Sequence, residues 1–174
     1  MDGFDGSVVR VDAWNNAEDL ERMTLEDLHD IVQEGLQLLR DYGCEFIAVL
    51  GKSFGGRLAL TCPDVSIEQA VLWAPKVGFG EDNVEKWRST LLDQPSTATD
   101  ILVGEKRLKD IDAEVSIFHG TEDEIVSIDN SRKIAGVLTD GSITKIDGVG
   151  HSFSGVEVWL AEQSLKYLGL SQET

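Results

Sequence analysis

The stretch Glu45 to Leu50 (EFIAVL), running into Gly51-Lys52-Ser53-Phe54-Gly55-Gly56, constrains this chain more than any other. A near-continuous apolar run is what a strand buried on both faces requires, and such strands belong to parallel sheets. The glycines that follow call for a sharp turn. A helix is then expected from about Phe54 to Thr61, stopped by Pro63. The turn has the pattern Gly-x-Ser-x-Gly, whose physics is specific. It holds Ser53 in a strained backbone conformation, so that the hydroxyl projects above the sheet. Small neighbours are expected because Gly51 and Gly55 pass close to other backbone. The helix that begins here aims its N–H groups and positive dipole end at the same place. A glycine-rich phosphate loop is the competing reading, but Gly-x-x-x-x-Gly-Lys-Ser is absent, since Lys52 precedes Ser53 inside a shorter glycine spacing.

The rest of the chain alternates short β-rich runs with longer helical ones. Ser7 to Trp14 (SVVRVDAW), Gln69 to Trp73 (QAVLW), Glu114 to Phe118 (EVSIF) and Ser142 to Ile146 (SITKI) read as strands. Thr24 opens a helix, with a carboxylate three residues on to complete a capping box. Leu25, Leu28, Ile31, Val32, Leu36 and Leu39 follow helical spacing until Tyr42-Gly43. Further helices are expected near Asp129 to Leu138 and Gly155 to Tyr167. The expected class is α/β, a three-layer, doubly wound, mostly parallel five-stranded sheet. At 174 residues the chain supports one domain, 1–174, and the polar stretch at about 81–111 reads as a small excursion, a modest lid.

Fifteen Lys and Arg stand against 32 Asp and Glu, a formal charge of −17. Such a field repels nucleic acid and anionic lipid, so neither is an expected partner. Simple solubility accounts for it, and so does adaptation to a high-salt cytoplasm, where screening removes self-repulsion. No apolar run approaches the roughly 20 residues of a membrane span, and the N-terminus lacks the basic and apolar regions of a signal peptide. A cytoplasmic location is expected. Cys44 and Cys62 show no CxxC spacing, and no His-rich cluster accompanies them. They read as two buried thiols rather than a disulfide or a metal site. No cofactor signature is present.

A serine hydroxyl is a poor nucleophile until a base removes its proton. The histidines are His29, His119 and His151. His29 lies beside Asp30 in the first amphipathic helix and reads as a surface residue. His119 ends the strand EVSIF and is expected to pack or hydrogen-bond locally. His151 sits in Gly148-Val149-Gly150-His151, a glycine-rich loop after SITKI, within reach of the same sheet edge as Ser53. It is the expected base. An acid must orient its imidazole, and Asp123, after EVSIF, is the best placed. Glu122 and Glu124 are chemically competent neighbours. Asp147 is nearer in sequence but points along the same strand end.

GKSFGG, VLWAPKVGF, HGTEDEIVS and GVGHSF together resemble the α/β-hydrolases, over nearly the whole chain, and more narrowly their small bacterial and archaeal members. The resemblance implies that Ser53 forms an acyl-enzyme, His151 acts as base and then acid, and Asp123 supports it. The backbone N–H of Phe54 would supply half of the oxyanion hole. Implied is a serine hydrolase of the carboxylesterase kind, acting on a small-molecule acyl substrate. Trp73, Trp87, Phe79 and Phe153 are candidates for its apolar pocket.

The family's leading strands, one of which carries the second oxyanion donor, have no counterpart before SVVRVDAW. That segment resembles the family strand lying two places from the nucleophile strand, so a gap of roughly 9–10 Å is expected unless something fills it. The favoured resolution is that SVVRVDAW pairs with EFIAVL, bringing Trp14-Asn15-Asn16 to the oxyanion site. A second chain filling the gap, or a truncated scaffold with impaired chemistry, are the alternatives. The rival function is a binding protein built on a hydrolase scaffold. A homodimer fits either reading, since open sheet edges favour association.

Overall fold

The computed structural model describes residues 7–63, 66–93 and 101–170. In chain order the elements are α1 (Ala17–Glu21), α2 (Leu25–Asp41), β1 (Ala48–Lys52), α3 (Phe54–Thr61), β2 (Gln69–Trp73), β3 (Gly78–Phe79), α4 (Val84–Ser89), β4 (Leu102–Val103), α5 (Glu105–Lys109), β5 (Glu114–Gly120), α6 (Ile128–Val137), β6 (Gly141–Ile146) and α7 (Glu157–Tyr167). The expected class is the observed one. β1, β2, β5 and β6 form a four-stranded sheet in that order, and every pairing in it is parallel.

The alternation of side chains along the strands divides the core into two layers. Ala70, Leu72, Val115 and Ile117 face α2, α3 and α6 in a large cluster that includes Leu25, Leu28 and Ile134. Val71, Phe118 and Ile146 face the other way, against Leu160 of α7. Helix α2 starts where its capping box predicts. Thr24 Oγ1 accepts the Asp27 N–H at 3.1 Å, while Asp27 Oδ2 accepts the Thr24 N–H at 2.6 Å. It ends at Tyr42, with Gly43 at φ +84°.

Three expectations need correction. SVVRVDAW forms no strand and does not pair with β1. It runs extended over α2, where Val11 and Val9 would lie 3.2 and 3.5 Å from a β-carbon at Gly35. Its inward residues therefore pack on a helix rather than extending the sheet, and β1 is an edge strand. The main sheet accordingly has four strands among the described residues rather than the expected five. Secondly, His29 is not a surface residue: only 3% of it is exposed. Its Nε2 donates to Thr61 Oγ1 at 2.9 Å, because that hydroxyl already donates to Arg57 O. The ring stands edge-on to Trp87 at 5.7 Å. The helix pattern concealed this because its neighbours in sequence are acidic while its own face turns inward. Thirdly, Gly55 meets nothing within 4 Å where a β-carbon would lie, so only Gly51 of the pair is crowded.

Within the 81–111 excursion, residues 94–100 lie outside the described residues. The remainder is anchored rather than loose, since Trp87, Leu92, Ile101, Val103 and Leu108 are all buried in the larger cluster. Leu92 N–H donates to Met23 O at 2.8 Å, tying the excursion to the start of α2. Cys62 is buried, and its Sγ lies 3.6 Å from the His29 carbonyl; Cys44 is half-buried. No helix among the described residues is long and apolar enough to cross a membrane.

Burial first, then the nearby Arg107 and Arg57, lowers the His29 pKa from 6.5 to about 4. The folded state thus holds His29 neutral where the unfolded chain would bind a proton. Stability therefore falls as pH drops below 6.5 and this contribution levels off near pH 4, for a loss on the order of 3 kcal/mol. Replacing His29 by Gln should flatten the fall in melting temperature across that window, as measured by circular dichroism at successive pH values.

Candidate active site

A parallel register sets up the site. Lys52, Trp73, Phe118 and Thr144 stand in one row across the four strands. Ser53 is the next residue after that row on β1. Asp123 and His151 lie on the loops that leave the same edge from β5 and β6. All three expected site residues thus gather at the carboxyl ends of the strands.

Ser53 has φ +50° and ψ −112°, outside the ordinary regions for a residue with a side chain. The conformation is held from several sides. Ser53 N–H donates to Trp73 O at 2.8 Å, and Ser53 O accepts from Arg57 and Lys76 N–H, each at 3.2 Å. A β-carbon on Gly51 would sit 2.8 Å from Gly55 O and one on Gly56 2.9 Å from Pro75 Cβ. The strand can therefore turn into α3 only with those residues bare. The Ser53 hydroxyl makes no capping bond to the helix. Ala74 (φ +45°) and Phe153 (φ +60°) are the other non-glycine residues with positive φ among the described residues. Each such residue costs on the order of 1–3 kcal/mol, and strain of this kind gathers where geometry serves a site.

The β5 and β6 loops are fastened to one another. Glu122 N–H donates to Val149 O at 3.0 Å and Thr121 N–H to Ile146 O at 3.0 Å. Gly148 N–H donates to Thr121 Oγ1 at 3.0 Å. Gly120 lies so close that a β-carbon there would come within 2.0 Å of Val149 O. These contacts bring His151 Nδ1 to 2.7 Å from Asp123 Oδ2. A carboxylate only accepts, so Nδ1 carries a ring proton and donates it to Asp123. The Asp123 side chain is fully buried, while 17% of the His151 side chain reaches solvent.

Asp123 turns its other oxygen to its own loop, accepting from Ile125 N–H at 2.9 Å and Val126 N–H at 2.8 Å. Burial works to raise its pKa. The Val126 N–H, the His151 ring and the Ile125 N–H outweigh that and hold it below the ordinary carboxylate range. Glu122 and Glu124 are exposed, so among the acids weighed it is Asp123 that meets His151.

His119 bonds locally, as expected. Its Nε2 donates to Val126 O at 2.9 Å, and its Nδ1 lies 2.6 Å from Ser131 Oγ. Its Nε2 also lies 3.4 Å from Asp123 Oδ2. Burial above all pushes its pKa down, so it is neutral and backs the aspartate without competing for it. Ser131 is a supporting residue that the sequence pattern did not mark, because it sits on α6 and reaches the site only through packing.

No hydrogen bond joins Ser53 to His151 among the described residues, and apo sites often show such contacts long or unformed. The expected Trp14-Asn15-Asn16 loop does come near: the Trp14 ring centroid is 6.0 Å from that of Phe54. Yet Asn15 N–H and Asn16 Nδ2 are both spent on Asp19 Oδ2, at 3.2 and 3.1 Å. The four aromatic pocket candidates do not share a pocket. Trp73 and Phe153 pair at 6.1 Å on the α7 side, whereas Trp87 and Phe79 pack in the opposite layer.

No family model matches the sequence, and no curated protein sequence matches it. Solved structures do match the architecture. A serine hydrolase from Cycloclasticus zankles superposes with TM-score 0.62 at 14% identity, over 87% of this chain and 74% of that one. A putative non-heme bromoperoxidase from Mycobacterium tuberculosis reaches 0.65 at 15% identity, over 91% and 79%. A propionate-bound esterase from Thermogutta terrifontis reaches 0.61 at 18%, over 87% and 69%. The fold is that of the α/β-hydrolases. This chain spans 69–79% of the length of those three chains. Within an α/β-hydrolase fold the elbow glycines carry unequal weight. Gly51→Ala should destabilise the protein by about 1–3 kcal/mol through overpacking, while Gly55→Ala should be neutral or gain roughly 0.5–1 kcal/mol. Urea denaturation of the two variants measures the contrast.

Proposed function

We propose that the protein is a serine hydrolase that cleaves a carboxylic ester or related acyl substrate through an acyl-enzyme on Ser53. The observation that carries this reading is the His151 Nδ1 to Asp123 Oδ2 contact of 2.7 Å, on the sheet edge where Ser53 is held at φ +50°. In the proposed reaction His151 Nε2 takes the Ser53 proton as Oγ attacks the acyl carbon, and then returns it to the leaving alcohol. Water, activated by the same nitrogen, releases the acid and restores Ser53. Asp123 holds the imidazole in the required tautomer and stabilises it when it is protonated. Phe54 N–H, at the head of α3, is the proposed first oxyanion donor, with the helix dipole behind it. The hydrolases and esterases among the structural matches support the reaction class; the acyl substrate is inferred from the side chains alone.

Only one oxyanion donor is assigned here, and losing one typically costs about 100- to 1000-fold in kcat. A slow enzyme is therefore expected. A binding protein on the same scaffold is the second reading, favoured by the unpaired edge of β1. A fluorophosphonate probe should label the wild-type protein and leave Ser53→Ala unlabelled, read by intact mass. Asp123→Asn should lower p-nitrophenyl acetate hydrolysis by about 10,000-fold where turnover is measurable. Folded wild-type protein that resists the probe would favour the binding reading.

A further inference from the structure

Past the ends of the paired strands, both halves of the site are gripped by neighbouring residues of α6. Sheet pairing of β2 with β5 ends at Trp73 and Phe118, and that of β5 with β6 at Gly120 and Ile146. The chain after β2 runs through Lys76, whose N–H donates to Ser53 O at 3.2 Å, to Val77. Val77 is 1% exposed, so its backbone groups need partners within the protein. Asn130 supplies both. Its Oδ1 accepts the Val77 N–H at 3.1 Å, and its Nδ2 donates to Val77 O at 2.6 Å. A flipped amide would set donor against donor, so only one orientation fits. The next residue, Ser131, reaches the other half. His119 Nε2 faces two acceptors, Val126 O at 2.9 Å and Asp123 Oδ2 at 3.4 Å, and so carries the proton of the neutral ring. Its Nδ1 then accepts, and the Ser131 hydroxyl donates to it at 2.6 Å. Val126, whose carbonyl His119 holds, gives its own N–H to Asp123 Oδ1 at 2.8 Å.

We propose that Asn130 and Ser131 are positioning residues, a single brace that fixes the backbone of the nucleophile relative to the acid and base. The proposal rests on the acyl-transfer reading of the site. Each residue acts through intermediaries: Asn130 through Val77 and Lys76, Ser131 through His119 and Val126. Adjacent helical residues point about 100° apart, which lets one turn of α6 grip two different loops. That turn is itself secured. Ser127 Oγ accepts the Asp129 N–H at 3.3 Å at its start, and fully buried Ile134 anchors the helix in the larger cluster. In the proposed reaction His151 Nε2 must meet Ser53 Oγ, and these two groups belong to opposite halves. The brace sets their separation where the sheet no longer does. Misplacing a reacting group by about 1 Å can cost about 100-fold in rate, even when the altered residue lies far from the chemistry.

Asn130→Ala and Ser131→Ala test this, with hydrogen exchange and probe labelling as separate readouts. Asn130→Ala should speed exchange of the Lys76 amide, and Ser131→Ala that of the Val126 amide, each by about tenfold. The Ile117 amide, in the middle of β5, should keep its rate in both. Fluorophosphonate labelling of Ser53 should slow by about tenfold or more in each variant. Because both variants release the same separation, the double variant should be at most about threefold slower than the slower single one. With p-nitrophenyl acetate the loss should fall on kcat and leave KM within about twofold. Ser131→Cys, which keeps a weak donor of similar size, should recover part of the loss. Asn130→Asp, which keeps the acceptor for the Val77 N–H, is the milder variant should Asn130→Ala not fold. The proposal is overturned by unchanged Lys76 and Val126 exchange, by labelling at the wild-type rate, or by losses that multiply in the double variant. Ile117 exchange rising in step in Ser131→Ala and Asn130→Asp overturns it too, since the two residues would then serve overall stability alone. Folded wild-type protein that resists the probe overturns the hydrolase reading instead, and the exchange rates still decide the brace.

Discussion

The close approach of Gly51 to the backbone of Gly55 and Gly56 is the constraint on which the site depends. A strand that ends directly above the first turn of its own helix must reverse within a single residue, and Ser53 is that residue. Its left-handed φ is not an accident of a loose loop. It is set by the bond to Trp73 O on one side and by the Arg57 and Lys76 N–H groups on the other. Because β1 and β2 are in parallel register, the anchor at Trp73 is also the point from which the rest of the sheet edge is measured.

The second half of the site is built by a different device. Asp123 and His151 are not presented by strained turns of their own; they are held by stitching two loops together. Gly120 is where that stitching is tightest, since any side chain there would displace Val149. The result is a buried carboxylate with every oxygen engaged. One oxygen is held by two backbone N–H groups, the other by His151, and neutral His119 closes the remaining side. The low pKa of Asp123 follows from those bonds overcoming its burial. A fully ionised aspartate in an enclosed position keeps its histidine partner in one tautomer.

Against this order stands the open edge of β1. A parallel sheet is normally covered and flanked, but here the flank is an extended segment that packs on α2 at Gly35 and pairs with no strand among the described residues. Gly55, which borders the same open edge, is uncrowded. On the segment's far end, the Asn15 N–H and the Asn16 side chain are bonded to Asp19 at the start of α1.

Much of the fold was legible because its signals are local. The capping box at Thr24, the apolar run before Gly51 and the helix stop at Pro63 are each written within a few residues. The placement of Ser53, Asp123 and His151 at one sheet edge was legible because each follows a strand in a sheet whose parallel sense brings strand ends together. What the residues alone could not decide was anything set by packing between distant segments. SVVRVDAW alternates as a strand should, yet an alternating segment can satisfy its apolar face on a helix, and only the tertiary arrangement chose α2 over β1. The acidic neighbours of His29 point outward while its ring is buried against Trp87. Asp123 was separated from Glu122 and Glu124 by which of three adjacent carboxylates the loop turned inward. The sequence by itself determined the parallel α/β layout and the residues at its chemical edge, because periodicity and turn chemistry are short-range. Tertiary structure alone decided which acid meets His151 and left β1 paired on one side only among the described residues, because burial and strand pairing depend on surfaces far apart in the chain.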